Sequence, residues 1–120
     1  LTLFMLIWSE GQKAGKSVSP AIATQLINKE DALLLDIRTK KEWDTGHIAN
    51  AKHMPVADID RRLSELEKYK ARPVIVVCNL GQVAGSVSKR LKAAGFENVT
   101  RLQGGITGWK RQTLPIVKKG

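Results

Sequence analysis

Cys78 is the only cysteine among 120 residues, and its neighbours are of the kind a nucleophilic thiol needs. It follows the apolar run Pro73-Val74-Ile75-Val76-Val77. It precedes Asn79-Leu80-Gly81-Gln82-Val83-Ala84-Gly85, which leads into a helical pattern from about Val83 to Ala94. A thiol at the end of a buried strand, ahead of a helix start, meets backbone N–H groups and the positive end of the helix dipole. Both favour the ionised sulfur, which is the reactive form. Position alone leaves a second reading open, in which a lone cysteine is a small buried hydrophobe.

Little else in the chain competes for a chemical role. One cysteine excludes an internal disulfide framework and fits a reducing, cytoplasmic setting. Two histidines with one cysteine make a poor zinc set, so no metal or cofactor is expected. The net charge is +9 and is unevenly placed. Residues 1–67 hold nine Lys/Arg against ten Asp/Glu, whereas residues 68–120 hold eleven against Glu97 alone. The basic half carries Cys78, and such a field raises the local concentration of small anions. A solvated basic face is the bland alternative. No Lys/Arg block with interleaved aromatics is present, which argues against a nucleic-acid partner.

The elements that must position Cys78 can be read from periodicity and punctuation. Ser19-Pro20 is a helix start, with Ser as N-cap and Pro at the first helical position, and the apolar face Ile22, Leu26, Ile27 runs to about Lys29. Ala32 to Ile37 is an apolar run interrupted by Asp36, the pattern of a buried parallel strand. Thr39 to Asp44 predicts a short helix ended by Gly46, and Ala51 to Met54 a short strand. Pro55 opens a helix with Ile59, Leu63 and Leu66 on one face. Val74 to Val77 is the most β-like run. The helix after Cys78 buries Val83, Val87, Leu91 and Ala94 and stops at Gly95. Val99 to Leu102 is a strand, Gly104-Gly105 a turn, and a short helix follows around Trp109. Strands alternating with helices over one domain predict an α/β fold with a mostly parallel sheet, its ligands at the carboxyl ends of the strands.

Residues 1–16 read as an apolar remnant and a linker, ahead of a domain over residues 17–120. The run from Leu1 to Trp8 is too short to span a bilayer, which needs about 20 residues. Its terminal Trp, followed by Lys13 and Lys16, fits the cytoplasmic end of a membrane anchor. A peripheral element packed on the domain is the competing expectation.

Several of these residues together form a recognisable order. Asp36-Ile37-Arg38, Glu42-Trp43, Gly46-His47-Ile48, Ala51 and Met54-Pro55 resemble the first signature of rhodanese-like domains. Val74 to Cys78, Gly81, Leu91, Ala94-Gly95-Phe96, Val99, Leu102, Gly104-Gly105 and Trp109 resemble the remainder, so that the likeness covers residues 17–112. It implies a rhodanese-like fold with helices on both faces of the sheet. It also implies sulfur transfer: the Cys78 thiolate takes the sulfane sulfur of thiosulfate or a persulfide donor, and a thiol or cyanide removes it. Asn79, Leu80, Gly81, Gln82, Val83 and Ala84 would then form a nest of amides for the persulfide charge. Within that family the chain is similar to small bacterial members with a membrane anchor at the N-terminus.

The loop departs from the family pattern. Many active members carry a basic residue after the cysteine, an Arg at the Val83 position and Ser or Thr at the Ala84 position. The side-chain clamp for thiosulfate is therefore missing, and weaker use of thiosulfate is expected, with a protein or low-molecular-weight persulfide as donor. A related phosphatase loop would need an Arg where Ala84 stands, so phosphate ester hydrolysis has no guanidinium fork. Asp36, Arg38 and His47 are expected to support the structure, Asp36 by accepting backbone N–H bonds or pairing with Arg38, and Arg38 by pairing with Glu42 across a helical turn. His53 has no motif support. Trp43 and Trp109 are expected in the core, and Leu80 and Val83 as an apolar rim. The rival from another class is a binding or adaptor module with little turnover.

Overall fold

The computed structural model describes residues 17–79 and 83–118. Five strands form one sheet: β1 (Ser17–Val18), β2 (Leu33–Asp36), β3 (Lys52–His53), β4 (Val74–Val77) and β5 (Val99–Leu102). All of their pairings are parallel, in the order β1-β5-β4-β2-β3. Every residue of β2 and β4 is buried, as expected of inner parallel strands covered on both faces.

Residues of β2, β4 and β5 feed two separate cores. Leu33, Leu35, Val74, Val76 and Val99 pack against Ile59 and Leu66 on one face, and against α4 (Ala84–Ala93) through Ala84, Val87 and Leu91. Leu34, Ile75, Val77 and Leu102 face α1 (Pro20–Glu30) through Ala23, and α5 (Gly105–Arg111) through Ile106 and Trp109. Each fully buried Leu, Ile or Val contributes roughly 1.5–3 kcal/mol relative to an exposed one. The α/β fold with a parallel sheet and helices on both faces is the one expected.

Local signals explain most boundaries. Ser19 accepts from the Ile22 N–H at 3.2 Å, Pro20 opens α1, and Asp31 closes it at φ +57. The α2 helix (Lys40–Asp44) has a full capping box, with Thr39 and Glu42 each satisfying the other's backbone N–H.

Two elements differ from expectation. The β1 strand has only two residues and no apolar alternation, so nothing local marks it; it forms because Ser17 and Val18 align with Arg101 and Leu102. The expected helix after Pro55 is broken into a 3-10 turn at Val56–Asp58, α3 at Ile59–Arg62 and a 3-10 stretch at Leu63–Tyr69. Leu63, Leu66 and Tyr69 recur every third residue and all reach the same core. A 3-10 helix stacks that spacing on one face, where an α-helix would rotate it away. Among the described residues no helix is long and apolar enough to cross a membrane. The expected anchor at residues 1–8 and the linker to residue 16 lie outside the described residues.

Candidate active site

The chain leaves β2 toward β3 on one side and leaves β4 toward β5 on the opposite side. The carboxyl ends of β2 and β4 thus flank the crevice at which parallel sheets bind ligands. A cavity of about 380 Å³ opens there. Its described lining is Ile37, Arg38 and Thr39 after β2, Glu42 of α2, Val56, Cys78 and Asn79 after β4, and Val83. Cys78 is 5% exposed and belongs to the core under this cavity.

The backbone of Cys78 is fixed from below by α5. Its carbonyl accepts the Ile106 N–H at 2.8 Å, and the Asn79 carbonyl accepts the Thr107 N–H at 3.1 Å. This close approach requires Gly105, whose φ is +57 and whose Cβ, were there one, would lie 2.2 Å from the Cys78 oxygen. The sequence marks Gly105 only as part of a turn. Its one signal is the Gly104-Gly105 pair, whose spatial partner lies far away in the chain.

Arg38 is spoken for. Its Nε donates to both Asp36 carboxylate oxygens at 3.0 and 3.1 Å, and its Nη2 donates to Asp36 at 2.8 Å and to the Gly46 carbonyl at 2.8 Å. The Asp36 carboxylate also accepts the Arg38 N–H at 3.0 Å. Both residues are buried. The expected pairing of Arg38 with the Glu42 side chain does not occur: Arg38 Nη1 donates to the Glu42 backbone carbonyl at 3.3 Å instead. Asp36 stands closer along the strand end and meets the guanidinium as a fork, while Glu42 is committed to capping α2.

Breaking this pair leaves a buried guanidinium without its anion, so Asp36→Ala is expected to destabilise the fold by roughly 3–5 kcal/mol. Denaturant unfolding measures it. A loss well under 1 kcal/mol would show that the pair is solvated.

The Glu42 carboxylate accepts from the Thr39 N–H at 3.0 Å, from the Thr39 hydroxyl at 3.1 Å and from the Asn79 side-chain amide. It therefore bridges the ends of β2 and β4. The hydrogen bond from Asn79, then that from the Thr39 N–H, pulls its pKa below the usual glutamate value. A carboxyl whose pKa falls on folding stabilises the protein fully above its unfolded value, near about 4.3, and loses that effect as pH falls through the folded value. The stability difference between wild type and Glu42→Gln is thus expected to shrink as the pH drops from about 4.3. A pH-independent difference would remove the bridge as its cause.

His47 is buried, stacks on Trp43 with ring centroids 3.5 Å apart, and donates from Nδ1 to the Trp43 carbonyl at 2.9 Å. Its backbone exchanges bonds with Val117 at 2.8 and 2.7 Å, which pins the C-terminal segment. It is absent from the described cavity lining. His53 donates to the Arg38 carbonyl at 2.8 Å. Trp43 and Trp109 are in the core, and Trp109 Nε1 donates to the Pro115 carbonyl at 2.9 Å. Of the expected loop, Asn79 and Val83 line the cavity; Val83, expected on the buried face of the helix, is instead its N-cap and 47% exposed. Ala84 opens α4 with its methyl in the core. Leu80, Gly81 and Gln82 lie outside the described residues.

Similar sequences and the same fold recur in known proteins. The chain is 38% identical over 104 residues to the uncharacterised protein YibN of Escherichia coli, covering 86% of this chain and 73% of that one. It is 35% identical over 95 residues to the thiosulfate sulfurtransferase GlpE of Coxiella burnetii, covering 79% and 87%. The crystal structure of a rhodanese-related protein from Thermoplasma volcanium superposes with a TM-score of 0.77 at 25% identity, covering 86% of this chain and 98% of that one. The family model described as Rhodanese-like domain matches residues 19–112, from the α1 cap to the end of α5. With that match spanning Asp36, Cys78 and Gly105, the chain belongs to the rhodanese-like domain family.

Proposed function

We propose that this protein is a sulfurtransferase that carries sulfane sulfur on Cys78. The observation that carries the reading is the seat of Cys78: at the carboxyl end of β4, in the wall of the cavity, with its carbonyl held by the Ile106 N–H. In the first step the Cys78 thiolate attacks the outer sulfur of thiosulfate or of a persulfide R–S–S⁻. The S–S bond of the donor breaks, Cys78–S–S⁻ forms, and sulfite or R–S⁻ leaves. In the second step a thiolate or cyanide attacks the terminal sulfur and restores the Cys78 thiolate. No external oxidant or reductant is needed. The two half-reactions share one site, which is ping-pong covalent catalysis.

Support for holding the persulfide charge comes from the start of α4, which has no side-chain cap at Val83, so its first amides are available to an anion. Thiosulfate is the poorer donor in this reading, because the one cation in the described lining, Arg38, is already paired with Asp36. A thiol acceptor is the natural second substrate for a cavity with the apolar wall Ile37, Val56 and Val83.

Mass spectrometry after incubation with thiosulfate and with a small persulfide tests the reading. The wild type should gain one sulfur atom, lose it to cyanide or a thiol, and show no gain as Cys78→Ala. Absence of an adduct from every donor would leave the fold as an adaptor module.

A further inference from the structure

The charge of the whole molecule and the unpaired charge in the cavity wall have opposite signs. The protein carries +9 overall, yet among the described lining residues the only carboxylate or cation without a salt-bridge partner is the carboxylate of Glu42. Arg38 is neutralised by Asp36 at 2.8 Å, while the Glu42 carboxylate takes only hydrogen bonds from Thr39 and Asn79. Thr39 and Asn79 themselves line the cavity beside Cys78, so the carboxylate sits between two wall residues. Leu80, Gly81 and Gln82 add no ionisable side chain. The hydrogen bonds that hold Glu42 also favour its ionised form.

We infer that Glu42 is a specificity-determining residue: it turns the Cys78 cavity away from small dianions and toward persulfides whose carrier bears a positive group, such as an aminothiol. This deepens, and rests on, the sulfurtransferase reading. A carboxylate in the wall repels thiosulfate as it enters and sulfite as it leaves. It attracts an ammonium attached near the transferred sulfur, with the apolar wall formed by Ile37, Val56 and Val83 taking the carbon chain. The chemistry is unchanged: Cys78–S⁻ and R–S–S⁻ give Cys78–S–S⁻ and R–S⁻. Only the charge on R is selected.

The experiment has two readouts. The first uses methanethiosulfonates, which a thiolate converts to a mixed disulfide with release of methanesulfinate, so it does not depend on persulfide chemistry. Cys78 is the only thiol, so every label reports on it. The rate ratio of the 2-aminoethyl to the 2-sulfonatoethyl reagent should fall roughly five- to tenfold in Glu42→Gln, the size of one solvent-screened charge interaction within a shared cavity. Glutamine keeps the helix cap. In the wild type the same ratio should shrink as salt is raised, a measurement that needs no variant.

The second readout compares kcat/KM for cysteamine persulfide, 3-mercaptopropionate persulfide and thiosulfate. Wild type should favour the first, and Glu42→Gln should lose that preference while gaining on thiosulfate. A lysine-flanked peptide persulfide distinguishes a protein carrier from a small one. Equal reagent ratios in wild type and Glu42→Gln, or a wild-type ratio insensitive to salt, would overturn the charge selection. Charge-selective labelling without a persulfide from any donor would instead overturn the sulfurtransferase reading and leave Glu42 as the selector of what reaches Cys78.

Discussion

A Cys78→Ser protein is expected to fold and to transfer no sulfur above the uncatalysed rate. The backbone that seats residue 78 does not depend on the sulfur: the carbonyl is held by Ile106, and β4 is held by β2 and β5 on either side. A serine hydroxyl in this buried place costs about 1 kcal/mol if it lacks a partner, which a domain of this size tolerates. The chemistry has no such tolerance. A hydroxyl is not ionised near neutral pH and forms no persulfide, so both half-reactions lose their common intermediate. Removing the nucleophile of a covalent mechanism costs on the order of 10³-fold or more in turnover. Sulfur transfer from a small persulfide to cyanide, followed beside a thermal unfolding curve, measures both parts. Turnover comparable to wild type in the folded serine protein would move the chemistry away from β4.

Gly105→Ala is expected to damage stability and activity together, although residue 105 has no functional group. Its φ of +57 is left-handed, which costs an alanine about 1 kcal/mol. The added methyl would also stand 2.2 Å from the Cys78 carbonyl oxygen and 2.6 Å from the Asn79 carbonyl carbon and oxygen. These are backbone atoms and cannot rotate aside. Either α5 or the end of β4 must move, and the bonds from Ile106 and Thr107 stretch or break. With about 1 kcal/mol for each hydrogen bond, the total is roughly 2–4 kcal/mol. A displacement of Cys78 by about 1 Å can cost on the order of 10²-fold in rate. Gly85→Ala is the contrasting variant. Among the described residues its new methyl would meet only the end of the Arg101 side chain, at 3.2 Å, in ordinary helical backbone. Denaturant unfolding and kcat/KM on both variants make the comparison. A Gly105→Ala protein with wild-type stability and rate would mean that α5 does not brace Cys78.

Much of this site is local in origin and is therefore legible in the residue order. Val74 to Cys78 reads as a buried strand ending in a nucleophile because unbroken β-branched runs suit inner parallel strands. Ser19-Pro20 and Thr39 with Glu42 announce helix starts through hydrogen bonds spanning three residues. The ordered motifs around Asp36, Cys78 and Gly104-Gly105 are enough to point to the family. Where the fold departs from expectation, the local signal is absent or ambiguous. A two-residue β1 has no period to detect. The segment after Pro55 carries an apolar spacing that both helical forms can use, and core packing resolves it toward 3-10. Glu42 offers Arg38 a partner at helical spacing, but Asp36 is nearer in space.

The chain's own residue order thus points to most of the elements, to the buried strands and to Cys78 as the candidate nucleophile. All of these follow from contacts between near neighbours and from burial. The neighbours of Cys78 are decided by the fold. The sheet order places β2 beside β4, and this brings Glu42 to Asn79 across 37 positions of sequence. The return of α5 beneath β4 likewise sets Gly105 against the Cys78 carbonyl. Parallel strands are joined by long crossovers, so their lateral order depends on how whole helices pack on the two faces, and no short-range spacing encodes it. The thiol is therefore written in the sequence, while the carboxylate that shares its cavity is put there by the sheet.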